Sequence, residues 1–98
     1  MGTPFTHTTW HVKPGREDEF VLRWRDWAEW SIAHGLRSHA RLLRNVEDHS
    51  TFVSFGPWET LGAVRAWRAE PGYHERVARL QELVERFEPE TLEEVART

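Results

Sequence analysis

The run from Trp58 to Phe87, W-E-T-L-G-A-V-R-A-W-R-A-E-P-G-Y-H-E-R-V-A-R-L-Q-E-L-V-E-R-F, constrains the fold more than any other stretch. A strand, Ser50 to Gly56, leads into it, and Gly56-Pro57-Trp58 turns the chain. Thr60 has the chemistry of an N-cap, because its hydroxyl can accept from the free N–H groups of a first helical turn. Leu61, Val64 and Trp67 then repeat at helical spacing. Glu70-Pro71-Gly72 interrupts the pattern: Pro71 disfavours the helical conformation at Glu70 but suits the first turn of a new helix. Tyr73, Val77, Leu80, Val84 and Phe87 continue as one apolar stripe. The spacing predicts a short helix, a kink, and a long second helix reaching Phe87, with Trp67 and Tyr73 on either side of the kink.

The preceding chain supplies the surface for those helices. Phe5 to Val12 is rich in β-branched and aromatic residues and reads as a strand. One of its faces carries Thr6, Thr8, Trp10 and Val12; the other carries Phe5, His7, Thr9 and His11. Lys13-Pro14-Gly15 ends it. Arg16 to Ala33 reads as a helix with Glu17, Asp18 and Glu19 in the first turn, where the macrodipole favours acids. Phe20, Trp24, Trp27 and Ser31 share one of its faces, Trp30 lies off that stripe, and Gly35 is a C-terminal stop. His39 to Val46 and Thr51 to Phe55 read as a hairpin. Glu88-Pro89-Glu90 is expected to break the second helix, and Thr91 to Ala96 to form a last, acidic edge strand.

The order β-α-β-β-α-β predicts a single α+β domain over residues 1–98. Its plan is ferredoxin-like: an antiparallel four-stranded sheet with the helices on one face. The bare sheet face, to which Phe5, Leu43, Val53 and Phe55 are assigned, predicts a partner, most simply a second copy.

Composition excludes several functions. There is no Cys, hence no disulfide frame, thiolate nucleophile or thiolate metal site. Met1 to Thr6 has neither a basic nor an apolar run, so no signal peptide is expected, and no apolar run approaches the ~20 residues of a membrane span. A cytoplasmic location is the expectation. A net charge of −3, with arginines scattered over both helices, argues against nucleic acid. His7 and His11 lie ~13 Å apart along a strand at ~3.3 Å per residue, too far to share one zinc ion. No phosphate loop, nucleophile motif or dinucleotide fingerprint is present.

V-K-P-G-R-E-D-E-F (Val12–Phe20), F-V-S-F-G-P-W-E-T (Phe52–Thr60) and A-W-R-A-E-P-G-Y-H (Ala66–His74) resemble the antibiotic biosynthesis monooxygenase (ABM) domain, in order and at matching spacings over nearly the whole chain. The resemblance implies a dimeric α+β barrel, two such sheets face to face, with a pocket in each subunit between sheet and helices. It also implies a monooxygenase that uses O₂ without a metal or flavin cofactor on an aromatic phenolic, quinol or polyketide-type small molecule. Trp67 and Tyr73 match the family's catalytic pair six residues apart on the kinked helix. The Asn expected one turn earlier is Ala63 here, and an Arg further along corresponds only loosely to Arg86. Thr6, Thr8, Trp10 and His74 are the expected substrate-binding neighbours. The haem-degrading branch is matched at Trp67 only, since Thr8 and Val77 stand where its Asn and His would be.

Residue chemistry agrees with a small-molecule pocket. Trp67 offers a flat apolar wall and an N–H donor, Tyr73 a hydroxyl, and His74 a base near neutral pH. Trp67 also reads as a core residue by its spacing. A non-catalytic dimeric barrel that binds an apolar small molecule, or a haem-binding protein, are the alternatives.

Overall fold

The computed structural model describes residues 2–98; Met1 lies outside the described residues. The elements are β1 (Pro4–Val12), α1 (Glu17–Ile32), β2 (Arg41–Arg44), β3 (Thr51–Pro57), α2 (Leu61–Ala69), α3 (Pro71–Gln81) and β4 (Val84–Glu93). All neighbouring strands pair antiparallel, in the order β2-β3-β1-β4. This is the expected ferredoxin-like plan, with β1 and β3 central. The molecule is 19 Å in its thinnest dimension, the depth of one sheet and one helix layer.

Strand alternation sorts β1 into two faces. Thr8, Trp10 and Val12 are buried, while Phe5, His7, Thr9 and His11 are only half-buried on the opposite face. Phe20, Trp24, Trp27 and Ser31 of α1 are the buried residues of that helix, and Trp10 packs against Phe20 and Trp27 at ring distances of 5.3 and 5.8 Å. Thr60 caps α2 as expected, its hydroxyl accepting from the Ala63 N–H at 3.1 Å. Glu70 is extended and Pro71 opens α3. Gly35 takes φ +110°, which a side chain would oppose. The turn there returns Leu36 to the core, where its N–H reaches the Ser31 carbonyl at 2.9 Å.

The last quarter of the chain departs from expectation. The second helix stops at Gln81, and Val84 and Phe87 belong to β4, which runs from Val84 rather than from Thr91. A β-bulge in this strand accounts for the helix-like spacing of the two residues. Val12 pairs with Val84 but His11 pairs with Arg86, so Glu85 is an extra residue. Val84 is buried, and Phe87 stacks on Trp10 at 5.4 Å. Both therefore face inward although three residues apart, a spacing that mimics a helix. Pro89 is not a breaker. It sits inside β4, an edge strand paired with β1 alone, where a missing N–H is tolerated. The second strand is also shorter than His39 to Val46. Among the described residues, no helix is long and apolar enough to cross a membrane.

Candidate active site between the sheet and the helices

A cavity lies between the covered sheet face and the helices. Its floor is Thr6 and Thr8 of β1 with Ser54, Phe55 and Gly56 of β3. Trp24, Trp27, Ala28 and Ser31 of α1 form one wall. Leu36, Ala40, Trp58 and Trp67 close the remainder. Its free volume is about 30 Å³, room for about two waters. The sheet comes close to the α1–β2 connection here. A Cβ on Gly56 would stand 2.8 Å from Leu36 Cδ1 and 3.1 Å from Ala40 Cβ.

Two tryptophans of these walls, and Trp10 behind them, are bonded to hydroxyls that line the space. Trp67 Nε1 donates to Ser31 Oγ, Trp58 Nε1 to Thr6 Oγ1, and Trp10 Nε1 to Ser54 Oγ, each at 2.9 Å. Ser31 in turn donates to the Trp27 carbonyl at 2.7 Å. A buried indole N–H normally requires such a partner. Trp24 and Trp27 differ: both are 8 % exposed, and the Nε1 atom of each is buried without a hydrogen-bond partner.

The expected site residues therefore fall into three groups. Thr6, Thr8 and Trp67 line the cavity, although the Trp67 N–H is already engaged by Ser31. Tyr73 packs edge-on to the Trp67 ring at 4.7 Å, behind that wall. Burial pushes its phenol above the ordinary 10.0, against the opposing pull of the Arg68 guanidinium, so it is neutral at physiological pH. Trp10 is in the core and reaches the cavity only through Ser54, and His74 is exposed, its ring 5.4 Å from that of Tyr73. Trp30 stays away from the cavity, stacked on His34 at 4.0 Å and covered by the Arg76 guanidinium at 5.0 Å.

Sequence reasoning did not place Trp58, Ser54, Leu36 or Ala40 at the site. Ser31 carried a signal, as a small polar residue within an aromatic stripe. Among the described residues, no group of three or more His, Asp or Glu side chains is arranged to hold a metal ion.

Solved structures share this architecture. An asparagine-to-alanine variant of SnoaB, a cofactor-independent oxygenase from Streptomyces nogalater, superposes with a TM-score of 0.90 at 19% identity, covering 99% of this chain and 97% of that one. Unsubstituted SnoaB gives 0.86 at 21% identity, covering 100% and 96%. A Nitrosomonas europaea protein whose name carries the ABM family gives 0.85 at 18% identity, covering 100% and 96%. These likenesses establish the fold. No curated protein sequence matches the chain. The family model described as antibiotic biosynthesis monooxygenase matches residues 5–79, which span β1 to most of α3. The chain belongs to the antibiotic biosynthesis monooxygenase family.

Proposed function

We propose that the protein is a cytoplasmic homodimeric monooxygenase that uses O₂ without metal or flavin on an aromatic phenolic, quinol or polyketide-type small molecule. The supporting observation is the cavity itself: aromatic walls with a few hydroxyls, in a chain of this family. The chemistry asks little of the protein. An electron-rich anion passes an electron to O₂, the two radicals combine, and loss of water leaves a carbonyl. For an activated CH₂ the balance is CH₂ + O₂ → C=O + H₂O, with all four electrons drawn from the substrate. The protein must exclude water, hold the anion and manage one proton.

In this reading Trp67 serves as the flat wall against which the rings lie. Thr6 and Thr8 offer hydroxyls from the floor. Trp10 acts indirectly, fixing the Ser54 hydroxyl. Tyr73, neutral and behind Trp67, is the proton reservoir, and the exposed His74 ring lies edge-on beside it. Because about 30 Å³ holds only water, the walls must part to admit a substrate.

Oxygen uptake without added cofactor, over a panel of hydroquinones, anthrones and flavonols, tests the proposal. Uptake should follow one substrate class and fall at least about tenfold in Trp67→Phe or Tyr73→Phe, within the range of a lost acid–base or positioning contact. Uptake unchanged in both variants would move the site elsewhere. A second reading, a non-catalytic barrel that binds an apolar ligand, is favoured by the occupied Trp67 N–H and by Ala63 in place of the family's Asn. Ligand binding with no uptake across the panel would select it.

A further inference from the structure

A cavity of about 30 Å³ admits a substrate only where one of its walls can move. Trp24 is the wall that it shares with a groove outside, between α1 and the β2–β3 hairpin. That groove has about 340 Å³ of free volume and is lined by Val21, Trp24, Arg25, Leu42, Arg44 and Phe52. Phe55 also borders both the cavity and an outer hollow. It belongs to a central strand, however, paired with His7 on one side and Arg41 on the other, so the sheet backbone separates those two spaces. Trp24 is moreover the least tethered indole of the cavity. Trp58 and Trp67 donate to Thr6 and Ser31. Trp27 makes no such bond, but its ring meets those of Trp10, Trp67 and Tyr73 at 5.8, 5.4 and 6.3 Å. Trp24 has neither kind of anchor. Its buried Nε1 is without a partner, and its ring forms no aromatic pair among the described residues. A tryptophan on a helix has two open χ1 wells. Turning out into the groove would bring the unpaired N–H to water, so the closed position carries a cost that the open one removes.

The groove also carries charge. Arg25 and Arg44 are exposed, and neither is in an ion pair among the described residues. Arg44 lies over the Phe52 ring at 4.9 Å. The Glu17 carboxylate feels the Arg44 charge but already accepts from Ser50 and Gly15. In a chain of net charge −3, two unpaired guanidinium groups beside aromatic walls favour the approach of an aromatic anion. An ordinary phenol, with a pKa of about 10, is neutral at physiological pH. The anion that the arginines meet is therefore a second group, and a carboxylate fits the guanidinium fork. We propose that Trp24 is the movable wall of the cavity, and that the groove of Arg25 and Arg44 is its entrance and selects aromatic rings bearing a carboxylate. The proposal rests on the cavity being the ligand site, and it does not depend on oxygen chemistry.

Motion of the wall is tested without any ligand. Protein labelled with 5-fluorotryptophan gives six ¹⁹F signals, each assigned by its Trp→Phe variant. Relaxation dispersion should show μs–ms exchange at Trp24 and none at the bonded Trp58 and Trp67. Entry is tested by stopped-flow association of 2-naphthoate and of 2-naphthylmethanol, its neutral counterpart. Trp24→Ala should speed the association of both probes about tenfold or more. Trp24→Phe, which keeps a ring in the core, serves if the alanine variant does not fold, and should act in the same direction. Arg25→Gln combined with Arg44→Gln should slow naphthoate about tenfold at low salt and leave naphthylmethanol unchanged. Added salt should slow naphthoate in the same selective way in the wild type.

A Trp24 signal without exchange, or exchange shared equally by all six indoles, would overturn the proposal. So would unchanged association rates in the Trp24 variants, which would put the opening elsewhere. Equal slowing of both probes by the arginine substitutions, or slowing of neither, would remove the selectivity and overturn it too, as would failure of both probes to bind the wild-type protein. Absence of oxygen uptake, by contrast, counts against catalysis and leaves these results standing.

Discussion

Ser31 holds two elements through one hydroxyl, accepting from Trp67 on α2 and donating to its own helix at Trp27. Ser31→Ala would strand the Trp67 N–H in a buried site, at a cost of about 1–3 kcal/mol. For a chain of this length that lowers the melting temperature by about 4–8 °C per kcal/mol. Trp67→Phe removes the donor along with part of the ring, so calorimetry of the double variant should show strong non-additivity between these two residues. Tyr73 provides a second test, because it is the sole tyrosine of the chain. Its folded-state pKa is raised by burial. The neutral form is therefore preferred in the folded protein, and the associated stability is fully present below the ordinary value of 10.0. It is lost as pH rises through the higher folded value, because the unfolded chain releases the proton first. Alkaline titration followed by phenolate absorbance should show late ionisation, and Tyr73→Phe should lose less stability above about pH 10 than the wild type.

Among the elements, the start of α1 is tied to the β2–β3 turn by Glu17. Its carboxylate accepts from the Ser50 hydroxyl at 2.7 Å and from the Gly15 N–H at 2.8 Å. The Ser50 contact is the largest cause of a Glu17 pKa held below 4.5, and Thr51 does the same for Asp48 below 3.8. Both contributions are present above the unfolded values and are lost as pH falls through the folded ones. Thermal melts should therefore show a shallower acid limb for Glu17→Gln than for the wild type below about pH 5. The elements also show what periodicity can and cannot convey. The α2 cap, the break at Glu70-Pro71 and the buried face of α1 were legible because each depends on neighbours in sequence. The boundary between α3 and β4 was not. The bulge at Glu85 places Val84 and Phe87 three residues apart on one strand face, and the same spacing serves a helix equally well.

For the molecule as a whole, the outer sheet face is the outstanding feature. Val53 sits on β3 opposite Thr9 and Leu43, and Phe55 opposite His7 and Arg41. Two histidines there are flanked by acids, His11 with Glu88 at 2.8 Å and His7 with Glu90 at 3.4 Å. The proposed homodimer covers this face. Native mass spectrometry or sedimentation at micromolar concentration should give twice the chain mass. Val53→Glu, which would bury a carboxylate between two sheets, should give monomers, and Val53→Thr should remain dimeric. A wild-type monomer would remove the face-to-face arrangement.

The order of elements, the kink between Trp67 and Tyr73, and the division of β1 into two faces can be read along the chain. Caps, prolines and strand alternation act over a few residues, so the chain displays them directly. Which indoles are satisfied depends instead on long-range packing. The bonded partners Trp67–Ser31, Trp10–Ser54 and Trp58–Thr6 lie 36, 44 and 52 positions apart. No local spacing encodes a hydroxyl that far away, and none could show that Trp24 and Trp27 would be left without one. The size of the cavity has the same origin, since it is the space that remains after side chains from six different segments have packed.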